Sequence, residues 1–286
     1  LHFTLAQNGG ANRPMTPEQK KQLAARRRLT EGRQRDAKRP KPPEALAERY
    51  AGALRSINRA LVAEVKKAIA PWLAEVEGRR TDAVIDFAGL RVRLERLAAR
   101  LGAETSEKFS EAIARANLDE MQGILKIDLA KEPPRVRRLL EAWRRENVNL
   151  IESIARRLHG DVRDLVRTVT RTGERVESVA RKLAERYDVS ASRANLIARD
   201  QVLKANSNLT QVRSQEAGIE RYRWSTSKDE RVRGTPGGKW PKGLHYALDG
   251  QIFAWTDPPV ANLNGERSHP GRDFQCRCVA IPILGA

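Results

Sequence analysis

The sequence predicts an α+β protein in which a long-helix, all-α N-terminal body is followed by a small C-terminal module of short strands packed on a long helix. From residue 44 to residue 217, apolar residues recur at steps of three and four, as on the buried face of an amphipathic helix. Residues 218–286 hold half of the chain's 14 aromatic residues, in short segments between Gly, Pro and Asn clusters that are typical of strands.

The body is predicted to contain six or seven helices with short breaks, an arrangement that suits a bundle. The first helix begins at Glu44, contains Pro71 and ends at Gly78. Its apolar stripe is formed by Leu46, Tyr50, Leu54, Ile57, Leu61, Val65, Ile69, Trp72 and Val76. Further helices are expected from Phe87 to Gly102, from Ser106 to Ala130, from Pro134 to Gly160, and on to Gly173.

A long helix is predicted to link the body to the strands. After a short helix over 176–183, Asp188 or Ser190 is placed to cap it by accepting backbone N–H bonds. It runs without Gly or Pro to Ala217, and Gly218 suits a left-handed C-terminal cap. Short strands are expected at Arg221–Ser225, Gln251–Trp255 and Arg277–Ile283.

Charge is strongly asymmetric along the chain. The net charge is +18 and the pI about 10.5, which favours polyanionic partners such as nucleic acid or an acidic protein surface. Residues 1–42 carry eleven Lys or Arg against three Asp or Glu. We therefore predict a flexible basic arm over residues 1–43 with one short helix near Pro17–Leu29, then a helical body over 44–174 and a C-terminal domain over 175–286.

The basic arm is a candidate nucleic-acid contact, because clustered cations neutralise phosphates without needing order. The alternative is a solvated tail that aids solubility. The candidate residues are Lys20, Lys21, Arg26, Arg27, Arg28, Arg33, Arg35, Lys38, Arg39 and Lys41.

Two cysteines and two histidines near the C-terminus form a candidate metal site. His245, His269, Cys276 and Cys278 offer the N and S donors that Zn²⁺ prefers, and a strand presents both sulfurs of Cys-x-Cys on one face. Such an ion would be structural, while the alternative is a pair of small core residues beside ordinary histidines. The chain has only two cysteines, and they are so close in sequence that they favour a reducing compartment. The sequence contains no run of 18 apolar residues, so no membrane span is predicted.

Two other patterns leave rival functions open. Asp229 or Asp249 with His245 could serve a metal-dependent nuclease, or these residues could form an ion-pair and turn network. Residues 176–183, the turn at 188–190 and the following helix imitate a helix-turn-helix of a cytosolic DNA-binding regulator, with base contacts from Arg193, Asn195, Arg199 and Lys204.

Five segments in register carry a family resemblance over about residues 175–286. They are the helix with Ile197-Ala198-Arg199 and Asn206, its Glu216-Ala217-Gly218-Ile219 exit, the Trp-Ser-Thr-Ser-x-Asp-Glu-Arg-Val-Arg segment from Trp224, the His-x3-Asp-Gly turn from His245, and the Pro-Gly-x4-Cys-Arg-Cys close from Pro270. In these the chain resembles the Mu F-like minor head proteins of tailed bacteriophages, also called phage head morphogenesis proteins. It departs from them at Asp200-Gln201, where relatives read Thr-Glu, and after Arg233, where many relatives carry a Cys-x-x-Cys.

The resemblance implies a virion component that acts in head assembly near the portal vertex without catalysis. It implies the portal protein or the major capsid protein as partner, and packaged double-stranded DNA as a further contact, in the host cytoplasm during assembly and in the phage head afterwards. We expect the C-terminal module to bind that partner through Trp224, Asp229, Arg231, Arg233 and Asp249.

Overall fold

The structure is a computed structural model that describes residues 16–76, 84–172 and 176–285. Of these described residues 65% are helical, and a body of long helices with a small antiparallel sheet near the C-terminus confirms the predicted fold class. The elements in chain order are α1 Pro17–Thr30, β1 Arg35–Asp36, α2 Glu44–Val76, α3 Phe87–Leu125, α4 Pro134–Thr172, α5 Val176–Glu216, β2 Arg221–Ser225, α6 His245–Leu248, β3 Ile252–Ala254 and β4 Val279–Leu284.

The predicted apolar stripe of α2 is buried. It packs with the apolar faces of α3, α4 and α5 in one continuous hydrophobic core. Its buried residues on α2 are Leu46, Tyr50, Leu54, Ile57, Leu61, Val65, Ile69 and Trp72. The core runs from Leu46 on α2 to Val212 on α5, so α5 shares it with the body, and the division near residue 174 stays a prediction.

Two predicted helix breaks are wrong. Helix α3 continues through Gly102, and α4 continues through Gly160. A helical glycine costs only about 1 kcal/mol, which a long buried face outweighs. Gly102 also has a packing role, because a Cβ at that position would lie 3.4 Å from Cγ2 of Ile151 on α4. The glycine lets α3 and α4 approach closely.

The predicted cap at Ser190 is wrong as well. Helix α5 is continuous from Val176 to Glu216, so Ser190 lies inside it, buried, and its hydroxyl bonds Asn58 Oδ1 on α2. The helix-turn-helix prediction therefore has no turn between its two helices. The C-terminal end was predicted correctly: Gly218 has φ +82°, and the N–H of Ile219 donates to the carbonyl of Ser214.

The sheet has the order β1-β4-β2-β3, and its strands pair antiparallel. All three predicted strands are present, and Trp224 on β2 lies opposite Ala280 on β4. Strand β1 was not predicted; it places Arg35 opposite Leu284 at the outer side of β4.

The described part of the basic arm packs on the rest of the protein. Leu29 on α1 and Ala37 after β1 are buried in a second hydrophobic cluster with Met121, Leu125 and Leu284. Residues 16–43 thus contain segments that lie against the body and the sheet, whereas the sequence predicted a flexible arm over residues 1–43. Residues 1–15 of that arm, and the helix ends predicted at Gly78 and Gly173, lie outside the described residues.

Buried polar side chains tie the long helices together. Asn147 on α4 accepts a hydrogen bond from the Tyr50 hydroxyl at 2.9 Å and donates to Gln201 Oε1 on α5 at 3.2 Å. Arg213 on α5 is fully buried and donates to Asn117 Oδ1 on α3 at 2.6 Å. These bonds satisfy polar atoms that would otherwise be costly to bury, and they fix the register of the helices.

None of the described helices is long and apolar enough to span a membrane.

Substitution of leucine for each of two glycines on α3, Gly102 and Gly123, tests the close contact between α3 and α4. Gly123 is exposed and a Cβ there meets nothing within 4 Å, so Gly123→Leu should raise the free energy of unfolding by up to about 1 kcal/mol through helix propensity. Gly102→Leu should lower it by about 1–3 kcal/mol, because the added side chain overpacks against Ile151. Urea unfolding measures both, and equal stabilisation by the two substitutions would contradict the close contact.

Candidate functional site

A cluster of one histidine and two cysteines lies where α6 meets the sheet. His245 is the first residue of α6, and Cys276 and Cys278 precede β4. The pairing of β4 with β2 holds this segment beside Trp224, whose ring centroid lies 5.4 Å from that of His245. All three side chains of the cluster are buried.

The donor atoms of the cluster converge on one point. His245 Nδ1 lies 3.5 Å from Cys276 Sγ and 3.7 Å from Cys278 Sγ, and the three donor atoms lie within 4.8 Å of one another. A tetrahedral zinc with Zn–S near 2.3 Å and Zn–N near 2.0–2.1 Å spans an N···S edge of about 3.6 Å. The spacing of His245, Cys276 and Cys278 therefore fits a zinc ion.

Asp273 lies outside the cluster and contacts its histidine. Its Oδ2 lies 3.3 Å from Nε2 of His245, the ring nitrogen that faces away from the sulfurs, and 3.0 Å from Nη1 of Arg233. Metal-binding histidines commonly direct their second nitrogen at a carboxylate, which fixes the ring and its tautomer. Burial alone lowers the pKa of His245, but the contacts with Asp273 and Cys276 outweigh it and raise this pKa to about 9.

The two thiols differ in acidity. The hydrogen bonds from Cys278 and His245 hold the pKa of Cys276 well below its usual range, whereas the neighbouring Cys276 and burial raise the pKa of Cys278. A divalent cation stabilises both thiolates and a neutral imidazole, so metal uptake at this cluster would release protons.

His269, the fourth predicted ligand, lies outside the cluster. Its Nδ1 is 2.9 Å from the Tyr222 hydroxyl, and its Nε2 is 3.3 Å from Gln211 Nε2. Burial and the charge of Arg272 lower the pKa of His269 to about 4, so the ring is neutral near pH 7. The four-ligand set is therefore corrected to three ligands, which leave one position of a tetrahedral ion for water or another donor.

Comparison with known proteins bears on the region that holds this cluster. The family described as "Phage Mu protein F like protein" matches residues 160–281, from the last third of α4 into β4, and so includes all three candidate ligands. Residues 160–281 are thus similar to this family. The resemblance predicted from the sequence is confirmed. The match begins at residue 160, earlier in the chain than the predicted start near residue 175.

One curated relative is a protein of Haemophilus influenzae described as uncharacterized. It is 35% identical to the chain over 175 residues, which are 61% of this chain and 36% of the relative. The chain therefore spans little more than a third of the length of that relative. The comparison with solved structures finds no match.

Within the region that matches the family, Trp224 is buried and does not offer a surface to a partner. Its side chain is 1% exposed and packs edge-on against His245 and Phe253. The prediction that it binds a partner is wrong, because alternation along β2 turns Trp224 toward the small hydrophobic cluster beneath the sheet.

Of the other predicted partner residues, Asp229, Arg233 and Asp249 are held by contacts within the chain, whereas Arg231 is accessible. Asp249 accepts hydrogen bonds from the N–H and hydroxyl of Thr226 and pairs with Lys228, so it holds the turn after β2. Asp229 pairs with Arg277 at 2.6 Å, and Arg233 pairs with Asp273. Arg231 is exposed, with its nearest carboxylates at 3.8 and 3.9 Å, so it is the predicted partner residue most accessible to another molecule.

All ten predicted nucleic-acid residues are exposed. Arg39 is partly committed, since it donates to Ser225 Oγ at 3.0 Å and to the carbonyl of Thr226. Arg27 lies 4.0 Å from Glu31, an exposed pair that contributes little. The basic residues of α1 therefore form a surface that is open to a polyanion.

Sequence reasoning missed Asp273 and gave Arg199 a different role, as a base contact in the helix-turn-helix hypothesis. Asp273 carried one available signal, its position three residues before Cys276, but a single carboxylate in a loop is most often a solvated surface residue. Arg199 lines the cavity next to the cluster, together with Arg231 and Arg277. Its position there follows from the packing of α5 against the C-terminal loops, for which no local pattern exists.

Metal analysis of purified variants tests the corrected ligand set. The wild-type chain should retain one zinc per molecule after dialysis, and Cys276→Ser and Cys278→Ser should each lose it, because each removes a thiolate. Asp273→Asn should weaken metal affinity about 10- to 100-fold through loss of the outer carboxylate. Elemental analysis and competition with a coloured chelator measure these effects.

His269→Gln is the matched control for the metal analysis, since it alters a buried histidine of the same module outside the cluster. It should retain zinc at wild-type stoichiometry. Zinc loss in His269→Gln, or zinc retention in both cysteine variants, would contradict the three-ligand site.

Proposed function

We propose that the protein is a phage minor head protein that acts in head assembly near the portal vertex, without catalysis of its own. The observation that carries the proposal is the family match over residues 160–281, which spans α5, β2, α6, β3, the start of β4 and the cluster of His245, Cys276 and Cys278. Its place is the phage head, after assembly in the host cytoplasm.

The C-terminal module is the proposed docking part. Its candidate partner is the portal protein or the major capsid protein, and exposed Arg231 is the most accessible of the residues predicted for that contact. A structural zinc held by His245, Cys276 and Cys278 would join α6 to the segment before β4. A small module of short strands gains stability from such a crosslink.

The basic surface of α1 and the segment after it is the proposed contact with packaged DNA. The charge of +18 and the exposure of all ten candidate cations support this part of the proposal. Contacts made to phosphates alone carry no sequence preference, which suits a protein that meets any stretch of a packaged genome.

The rival functions have less support in the geometry. Asp229 and Asp249, the candidate nuclease carboxylates, are held by Arg277 and by Thr226 with Lys228. The regulator hypothesis relied on a turn at 188–190, where α5 is continuous. The ion-pair and turn network is therefore the preferred interpretation of the charged cluster.

A co-purification experiment tests the head assignment. The chain should be present in purified heads, and immobilised full-length chain should retain its cognate portal protein. Arg231→Glu should reduce that retention at least about tenfold by placing a like charge in the interface. The matched control is Arg186→Glu on the exposed face of α5, which should retain portal protein like the wild type. Absence of the chain from purified heads would refute the assignment.

A salt titration tests the DNA contact. Affinity for duplex DNA of random sequence should fall steeply with salt, and replacing five cations of α1 with Gln (Lys20, Lys21, Arg26, Arg27 and Arg28) should make the slope of log K against log salt less steep by up to about 4.5. The control replaces five exposed arginines on α3, α4 and α5: Arg91, Arg96, Arg167, Arg171 and Arg181. Equal effects of the two sets would mean that overall charge, and not α1, binds the DNA.

A further inference from the structure

Two neighbouring cavities lie between the helical body and the C-terminal loops. The larger, about 720 Å³, is bounded by α2, α5 and the loops, and the smaller, about 460 Å³, adjoins the metal cluster. They share a wall formed by Leu196, Arg199, Arg231, Gln275 and Arg277. The two cavities therefore form one groove, which we call the arginine groove.

The smaller part of the arginine groove is lined by cations and by no carboxylate among the described residues. Two of the cations are committed, since Arg277 pairs with Asp229 at 2.6 Å and Arg233 with Asp273 at 3.0 Å. Arg199 makes no hydrogen bond or ion pair within the described ranges. A half-buried guanidinium without a direct partner is an open site for an anion.

The surroundings of Arg199 destabilise its charged form, which favours binding of an anion beside it. Burial lowers the pKa of Arg199, and the positive charges of Arg277 and Arg231 lower it further, while Glu44 and Asp229 compensate only in part and through space. A carboxylate or phosphate oxygen placed among the three guanidinium groups would relieve this repulsion.

Apolar side chains stand exposed along the same groove. Leu196 is 49% exposed, and Trp240 and Phe274 are each 56% exposed, although all three line the smaller cavity. The floor of the larger cavity adds Ala47, Ala51 and Leu203. Exposed aromatic rings beside arginines are typical of the anchor positions of protein interfaces.

The larger cavity also carries carboxylates, which discriminate between anionic partners. Glu44 and Glu48 line it together with Arg55, which pairs with Glu48 at 2.9 Å. A nucleic-acid strand carries a phosphate at every nucleotide and would bring some of them against these carboxylates. A peptide can place an acidic side chain at Arg199 and an uncharged one opposite Glu44.

We propose that the arginine groove binds an acidic peptide segment of a partner protein, with a carboxylate at Arg199 and Arg231 and apolar side chains against Leu196, Trp240 and Phe274. The ligand is defined by this chemistry, so the proposal holds whichever protein supplies the segment and does not rest on the head assignment.

Fluorescence anisotropy with the full chain tests the groove. The probe is a short fluorescein-labelled peptide in which glutamate alternates with leucine or phenylalanine, and a second probe has glutamine in place of glutamate. The wild type should bind the glutamate peptide and not the glutamine peptide. Arg199→Gln should weaken binding about tenfold, the effect expected for one charge-assisted contact, and Arg186→Gln on the same helix should leave it unchanged.

A second variant keeps the result interpretable if Arg199→Gln is poorly folded. Trp240→Ala changes an exposed ring and should weaken peptide binding at least about threefold with an unchanged melting temperature. Three results would overturn the proposal: no binding of the glutamate peptide at millimolar concentration, equal weakening by Arg199→Gln and Arg186→Gln, or dependence on Arg199 for single-stranded oligothymidylate but not for the peptide.

Discussion

The burial of α5 along its length is the constraint on which the rest of the structure depends. Apolar residues from Val179 to Val212 lie in the core of the helical body, and buried polar contacts with α3 and α4 fix the helix in place. The same helix also holds the C-terminal module. Asp200 accepts a hydrogen bond from the N–H of Gln275, and Ser207 donates to the carbonyl of Pro270. One rigid element thus belongs to both halves of the chain.

The candidate site inherits its geometry from this helix. The loop of residues 269–278 carries Asp273 and both cysteines, and its contacts with α5 set the distance from His245 on α6. Arg199 faces the same loop from α5, which is why the cluster of His245, Cys276 and Cys278 and the arginine groove are neighbours. A change in the packing of α5 would therefore alter both sites together.

Periodicity predicted the elements of the fold better than local signals predicted their ends. The stripe of α2 and the three strands follow from spacing and composition. Breaks at Gly102, Gly160 and Ser190 were wrong, because packing against other helices outweighs a weak local preference. The two-residue strand β1 depends on pairing with β4, which no short segment encodes. Likewise, Cys276, Cys278 and His245 were found by residue type, whereas the exclusion of His269 and the role of Asp273 required three-dimensional distances.

Strand β1 also has a consequence for how copies of the chain can associate. Open sheet edges are templates on which a second molecule can add a strand. Here β1 pairs with Ile283 and Leu284 at the end of β4, and it is only two residues long, both of them charged. The opposite edge, β3, has three residues. Both edge strands are short, and one of them consists of charged residues only. The sheet is therefore a poor template for polymerisation of the chain at high local concentration. Contacts between molecules would be made by side-chain surfaces and not by backbone hydrogen bonds.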